Sequence, residues 1–223
     1  MRRGILMKKC ILAASILVIC TTLAASPDTT PSDAWFISSA WMRDFLIDTS
    51  ADLPSAEFSR TKFIHACEDV GRSFGVSYGN VVVTDLIRYM SEHSKLTLSL
   101  IESYKKKDDA SLKDLQDSWK LNATNLCTFL SKTNPYLRFA STRNLFFDYF
   151  KRMTSMIQAR VNQQWQTDAN EYELFLKQAT LISRVIYQAL IDAFPVRKKE
   201  AMLPKKNPGI LREELVGKSA PSI

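Results

Sequence analysis

The chain has 223 residues and a mass of 25.4 kDa, which is the size of about one domain. Hydrophobic residues make up 46% of it and charged residues 24%, an ordinary globular composition that excludes a disordered chain and a polytopic membrane protein. Six glycines and two histidines are too few for glycine-rich phosphate loops or for multi-histidine metal cages.

The N-terminal residues have the pattern of an export signal. Four basic residues and no acidic residue precede or flank an apolar run at 10–20, which small residues follow up to Ser26. The uncharged stretch 10–26 is 17 residues long, short for a membrane span of ~20. We therefore predict a signal peptide over residues 1–25 and an exported chain, periplasmic or secreted, with a retained membrane anchor as the alternative.

A helical pattern dominates the residues that follow a linker at 26–33. Apolar side chains recur at alternating steps of three and four, which places them on one face of each helix. The predicted helices lie near 33–50, 56–73, 80–105, 111–132, 138–165 and from Asp168, in a capping box, to the residue before Pro195. Gly71, Gly75 and Gly79 are spaced four apart and could line a close helix contact, but we expect a loose connection between the second and third of these helices. We therefore predict an all-α, antiparallel bundle of five to six helices over 34–196.

The formal net charge of +7 lies mainly at the ends of the sequence. Residues 197–223 hold seven basic and three acidic residues, whereas 27–196 hold 19 basic and 20 acidic residues. A duplex-binding domain needs its basic residues on the folded face, so we expect no nucleic-acid partner. We expect a disordered basic tail at 197–223, and membrane contact only through this tail or an uncleaved signal.

A histidine within the core stripe of the third predicted helix is the first candidate for chemistry. His93 follows Leu86 and Tyr89 at helical spacing and has Glu92 beside it. A buried imidazole needs partners for its nitrogens, so His93 indicates either a ligand contact in the bundle core or a structural histidine bonded to a hydroxyl or carboxylate.

An acid in an apolar run is the second candidate. Asp148 and Tyr149 lie in a stretch of the fifth predicted helix that is apolar on every side, which predicts burial. A buried carboxylate is costly unless paired, and Arg43, Arg143 and His93 are the available partners. The sequence thus predicts a polar cluster in the core, formed by Arg43, Glu92, His93, Asp148 and Tyr149.

An offset of 56 residues relates several of these positions. It matches Glu92-His93 with Asp148-Tyr149, and Trp119 with Phe175. A possible internal pseudo-repeat with a twofold axis would explain the matches. Because 56 is eight heptads, any two helical hairpins in phase would match in the same way.

Two cysteines remain once the signal is removed. Cys67 and Cys127 would enter an oxidising compartment, where they could form a disulfide or stay as two buried thiols on separate helices. The spacing favours neither outcome.

A series of motifs resembles a group of small bacterial all-helical proteins of unestablished function that often carry acetylglutamate kinase or glycosyltransferase labels. The motifs are Trp35-x5-Trp41-Met-Arg43, Glu92-His93, Trp119-x2-Asn122-Ala123, Phe129-Leu-Ser131-x2-Asn134-Pro135-Tyr136 and Ala193-Phe194-Pro195. The resemblance implies a histidine on the first helix and a Glu-His pair on the third and on the fifth. Such a set would suit a metal or an anion. This chain has Ser38 and Asp148-Tyr149 where two of these elements are expected.

These observations support three hypotheses. The leading one is an exported, non-enzymatic bundle that binds a small ligand or a protein partner through the polar core cluster, without a cofactor. The second is a metal-binding protein or metal-dependent enzyme using Glu92, His93 and Asp148. The third is a purely structural protein of the cell envelope.

Overall fold

The computed structural model describes residues 30–194, and this part of the chain is helical with no strand. Six long helices and one single turn occur there. They are α1 Pro31–Ser50, α2 Ala56–Ser73, α3 Gly75–Tyr78, α4 Asn80–Lys106, α5 Asp109–Thr133, α6 Phe139–Val161 and α7 Trp165–Ala193. The prediction of an all-α bundle is confirmed. The predicted signal peptide, the first half of the linker (26–29) and the basic tail lie outside the described residues, and residues 31–33 of the predicted linker belong to α1.

The long helices form a closed ring in chain order. Each packs on its neighbours in the sequence, and α7 returns to pack on α1. Three alternate members, α1, α4 and α6, also contact one another across the interior. Because the connections are short, consecutive long helices run antiparallel, as in helix bundles generally. The core therefore lies inside three hairpins: α1–α2, α4–α5 and α6–α7.

The two ends of the ring are held by different polar contacts. We call the end with the three hairpin turns the top. There the Lys105 ammonium contacts Asp52 and donates to the carbonyl of Thr49 at 2.7 Å. We call the opposite end the base. There the amide of Asn134 donates to Tyr78 Oη at 2.6 Å and to the carbonyl of Ala189 at 2.9 Å.

A residue with positive φ lies in each hairpin turn. Asp52, Lys107 and Gln163 have φ of 53°, 55° and 58°, and none of them is glycine. The left-handed residue Gln163 follows the end of α6 at Val161, four residues before the predicted end at 165. A residue in this conformation stops a helix and turns the chain back.

Two helix starts differ from the prediction. Helix α1 begins at Pro31, two residues before the predicted start, and the side chain of Thr30 caps it in a reciprocal capping box with Asp33. Helix α7 begins at Trp165, so Asp168 lies inside its first turn and is not a cap.

Gly71 corrects the prediction of a loose connection. A Cβ atom at this position would lie 2.6 Å from the backbone nitrogen of Ile87 and 2.8 Å from its Cα. Helices α2 and α4 therefore approach each other closely at Gly71, and only glycine fits between them. Gly79 has φ of 78° at the start of α4, where a turn requires it.

Candidate functional site

The predicted polar core cluster is not assembled. Arg43, His93 and Tyr149 are buried, but Glu92 and Asp148 are exposed. Successive residues on a helix point about 100° apart, so a residue directly before a core residue need not be in the core. The prediction that Asp148 is buried was wrong because the apolar run around it covers partly buried flanks, Leu145 and Phe147, as well as the core face.

His93 belongs instead to a layer of aromatic rings. Each long helix contributes one ring, and all are at most 5% exposed. The aromatic layer consists of Trp35, Phe63, His93, Trp119, Tyr149 and Phe175. The rings of α1, α4 and α6 form an inner triangle whose centroids are 6.0–6.4 Å apart. His93 also meets Trp119 edge-on at 5.3 Å, an arrangement that favours packing of π-systems.

Burial determines the protonation of the two polar rings in this layer. It lowers the pKa of His93 to about 4, with no charged neighbour offsetting the shift, so the imidazole is neutral at pH 7. Burial also raises the pKa of the Tyr149 hydroxyl, so that it stays protonated. A neutral imidazole buried among aromatic rings favours a structural role for His93.

The interior around this layer is closed. A void beside Trp35, Gly71 and Met90 has a volume of about 10 Å³, room for at most one water molecule. The indole nitrogen of Trp35 is buried without a hydrogen-bond partner. A void of this size does not hold a small ligand.

The two cysteines are free thiols and both are buried, so the disulfide alternative is not the one observed. Burial raises the pKa of the Cys67 thiol well above its usual value and that of Cys127 to about 12. Neither thiol is therefore a ready nucleophile or metal ligand.

Three charged side chains do meet in the interior, though not those predicted. Asp168 of α7 is 2% exposed. Its carboxylate forms ion pairs with two guanidinium groups, that of Arg43 from α1 and that of Arg160 from α6. Nη2 of Arg43 and Nη2 of Arg160 each lie 2.7 Å from Oδ2 of Asp168. The Arg43 guanidinium also lies over the Tyr172 ring at 4.7 Å. This ion cluster joins three helices near the top. Arg43, which the sequence placed in the polar core cluster, pairs with Asp168 instead.

The sequence contained a signal for Asp168. Tyr172 and Phe175 begin the core stripe of α7, and Asp168 lies four and seven residues before them, on the same face. The capping-box pattern with Glu171 obscured this position.

The predicted metal ligands are not brought together. His93 is buried, whereas Glu92 and Asp148 face solvent. Within residues 30–194, no group of three or more His, Cys, Asp or Glu side chains has the placement to hold a metal ion. A metal site therefore finds no support in the described arrangement.

An open groove lies at the top of the described helices, and we call it the top groove. It has a volume of about 930 Å³ and lies between the ends of α4 and α6 and the starts of α5 and α7. Amides and hydroxyls are prominent in its lining, which includes Tyr104, Gln116, Ser155, Gln158, Asn162 and Gln164. Its charged residues balance, with two lysines, Lys107 and Lys113, against Asp109 and Glu171.

Tyr104 lines the top groove and positions two of its amide side chains. Its hydroxyl receives hydrogen bonds from the amides of Gln116 at 3.0 Å and Gln158 at 3.3 Å. The pKa of Tyr104 is raised, mainly by burial. An uncharged hydroxyl between two amides, on helices from two hairpins, presents a neutral surface of donors and acceptors.

No protein-family model, curated protein or solved structure matches this chain, so the resemblance to the bacterial helical proteins stays a prediction. Across residues 30–194, no helix has both the length and the hydropathy of a membrane span.

Proposed function

We propose that this chain is an exported, non-enzymatic binding protein whose top groove takes a neutral, hydroxyl-rich ligand such as a glycan segment. The observation that supports this most directly is the lining of the groove. Side-chain amides both donate and accept, which matches the hydroxyl groups of a sugar, and the balanced charges give an ion no advantage. This proposal replaces the interior site formed by Arg43, Glu92, His93, Asp148 and Tyr149.

The rest of the molecule acts as a scaffold in this proposal. The amides of Gln116 and Gln158 donate to the hydroxyl of Tyr104. The ion cluster at Asp168 ties α7, which Gln164 directly precedes, to α1 and α6. Neither histidine lines the groove. Binding without turnover is the role that this chemistry favours.

Titration with chitotetraose, a neutral N-acetylated oligosaccharide, tests the site. Two matched amide pairs make the comparison specific. Gln158 and Asn162 line the groove, whereas Gln166 and Asn170 bond each other on an exposed part of α7. We expect Gln158→Ala/Asn162→Ala to weaken binding at least tenfold, since two polar contacts at ~1 kcal/mol each are lost. Gln166→Ala/Asn170→Ala should bind like the wild type.

Two results would contradict the proposal. One is the absence of any chitotetraose-dependent shift in amide resonances of the groove at millimolar ligand. The other is equal weakening by both amide pairs. Export is tested separately by the mass of the protein recovered from the exporting cell. The mass should correspond to a chain cleaved after Ala24 or Ala25.

A further inference from the structure

Polar side chains in the top groove have hydrogen-bonding capacity that the fold does not use. The amides of Gln116 and Gln158 each donate one hydrogen bond to Tyr104, but neither amide oxygen accepts a hydrogen bond from another residue of 30–194. The hydroxyls of Ser155 and Thr167, which also line the groove, form no hydrogen bond within the same part of the chain. These donors and acceptors are therefore available to a ligand.

Comparable side chains elsewhere on the surface are satisfied by their own helix. Gln166 donates to Asn170 at 3.2 Å on an exposed part of α7. Thr154, directly before Ser155 in α6, donates to the carbonyl of Phe150 at 3.0 Å. The unused capacity is thus a property of the groove lining and not of every polar side chain on these helices.

Two apolar side chains lie within this polar lining. Leu112 of α5 and Val161 of α6 line the groove, and both are partly buried against the core. Leu112 is four residues before Gln116, and Val161 is three residues after Gln158. Because α5 and α6 run antiparallel, both lie nearer the top than the amides, by about 4.5–6 Å at the helical rise. We call Leu112 and Val161 the apolar pair, which lies one level above the two amides.

An acetamido group combines the features that match these two levels. It carries an N–H donor, a carbonyl acceptor and a methyl group attached directly to that carbonyl. The amides of Gln116 and Gln158 complement the donor and the acceptor, and contact with Leu112 and Val161 removes the methyl group from water. A hydroxyl in place of the acetamido group offers nothing apolar to this pair.

A charged amino group is a poorer match to the groove. Glu171 is the carboxylate of the groove on α7, and it already forms an ion pair with Arg152 at 3.4 Å. The carboxylate of Asp109, on α5, lies between two lysines in the sequence, Lys107 and Lys113, which also line the groove. The lining therefore favours the acetylated form of an amino sugar over the free amine.

We infer that the top groove recognises N-acetylated amino sugars through the acetamido group, whose methyl group contacts Leu112 and Val161. This inference rests on the proposed function and narrows it. Binding to hydroxyl groups alone requires only the amides, whereas recognition of an acetamido group also requires the apolar pair.

Three tetrasaccharides with the same linkage test the specificity in the full chain by calorimetric titration. Chitotetraose carries acetamido groups, cellotetraose carries hydroxyls in their place, and the deacetylated tetramer carries amines. We expect chitotetraose to bind at least tenfold more tightly than either of the others, because a methyl contact and amide hydrogen bonds are added. Equal affinity for chitotetraose and cellotetraose would overturn this inference and leave glycan binding in place. Absence of binding by all three would overturn both.

A double substitution in the apolar pair tests the methyl contact. Leu112→Ala/Val161→Thr should weaken chitotetraose binding about fivefold and leave the affinity for cellotetraose unchanged. The matched control is Leu115→Ala/Val185→Thr, at side chains that are also partly buried against the core but do not line the groove. The control should bind both sugars like the wild type. Equal weakening of chitotetraose binding by the two double variants would contradict the inference.

Nuclear Overhauser effects locate the acetyl group in the unaltered protein. We expect cross-peaks between the acetyl methyl protons of chitotetraose and the methyl groups of Leu112 and Val161. Leu121 of the same helix is 61% exposed and lies outside the groove lining, so its methyl groups should give none. Bound chitotetraose without a cross-peak to either member of the apolar pair would overturn the inference, whatever the variants show.

Discussion

At the scale of single residues, the interior uses its polar groups for packing and pairing. Asp168 shows this most clearly, since its carboxylate is 2% exposed and lies against two guanidinium groups. A buried ion pair adds little net stability compared with an apolar replacement, but removal of one partner leaves uncompensated charge. The cluster therefore makes the position of α7 against α1 and α6 sensitive to one side chain.

Asp168→Asn should lower the free energy of unfolding by about 3 kcal/mol, because the buried Arg43 and the partly exposed Arg160 would keep their charges without a carboxylate. Urea unfolding at pH 7 measures the change. The control is Asp148→Asn, at the exposed acid that the sequence placed in the core, which should stay within about 0.5 kcal/mol of the wild type. The opposite ranking of the two variants would contradict the structure.

His93 gives the fold a dependence on pH. Its pKa is lowered in the folded state to about 4 from the model-peptide value of 6.5, so the unfolded chain binds the proton more tightly. The stabilisation is complete above pH 6.5 and is lost as the pH falls towards 4. Over that window we expect a loss of about 3 kcal/mol from this group.

Unfolding of His93→Phe at pH 7 and pH 4 tests this dependence. Phenylalanine keeps an aromatic ring in the layer but has no group that binds a proton. The loss of stability that this position causes between pH 7 and pH 4 should therefore disappear. The second histidine supplies a control, since His65 is exposed and His65→Ala should retain the wild-type profile. A profile that His93→Phe leaves unchanged would show that the imidazole is not sealed in the core.

At the scale of helices, periodicity predicted the elements well, and local chemistry that overrides it was missed. The stripe of α4, from Leu86 to Leu100, gave a helix near 80–105, and the structure has Asn80–Lys106. Such a stripe reports which face is buried. It does not report how closely another helix approaches, and this is why the contact at Gly71 was predicted as a loose connection.

Gly71→Ala should destabilise the protein by about 2–3 kcal/mol. The added Cβ would collide with backbone atoms of Ile87, so α2 and α4 would have to separate. Gly79→Ala provides the comparison, since open space surrounds that position and only its positive φ, at a cost of ~1 kcal/mol, opposes the change. Thermal unfolding measures both. A gain in stability at Gly71, which a helical glycine without this contact would give, would contradict the close approach.

A substitution in one of the hairpin turns should increase the stability of the protein. Gln163→Gly should stabilise the protein by about 0.5–1 kcal/mol, because glycine adopts a φ of 58° without steric cost. Asn162→Gly, one residue earlier at φ −86°, should give no gain. Equal effects of the two substitutions on the melting temperature would show that the turn does not have this conformation.

At the scale of the whole molecule, the sequence was informative about the fold and much less so about the site. An all-α bundle follows from the apolar residues that recur at steps of three and four within each helix. The ring closure of α7 on α1 and the pairing of Arg43 with Asp168, 125 residues apart, depend on which helices meet, and no local pattern contains that information.

The 56-residue spacing has a structural counterpart that extends beyond the predicted pair. Phe63, Trp119 and Phe175 are spaced by 56 and supply the rings of α2, α5 and α7 to the aromatic layer. Three hairpins therefore share the spacing where the sequence suggested two. An internal duplication stays a prediction, since helices in phase produce the same spacing.

The central claim is that the core of this bundle is sealed and that binding takes place at its surface. The NMR titration of the His93 imidazole tests this most directly, without and with added zinc. A sealed core predicts a pKa of about 4 and no response to zinc. A pKa near the ordinary value of about 6.5, or a shift of the His93 resonances by zinc, would show an accessible interior site and contradict the account.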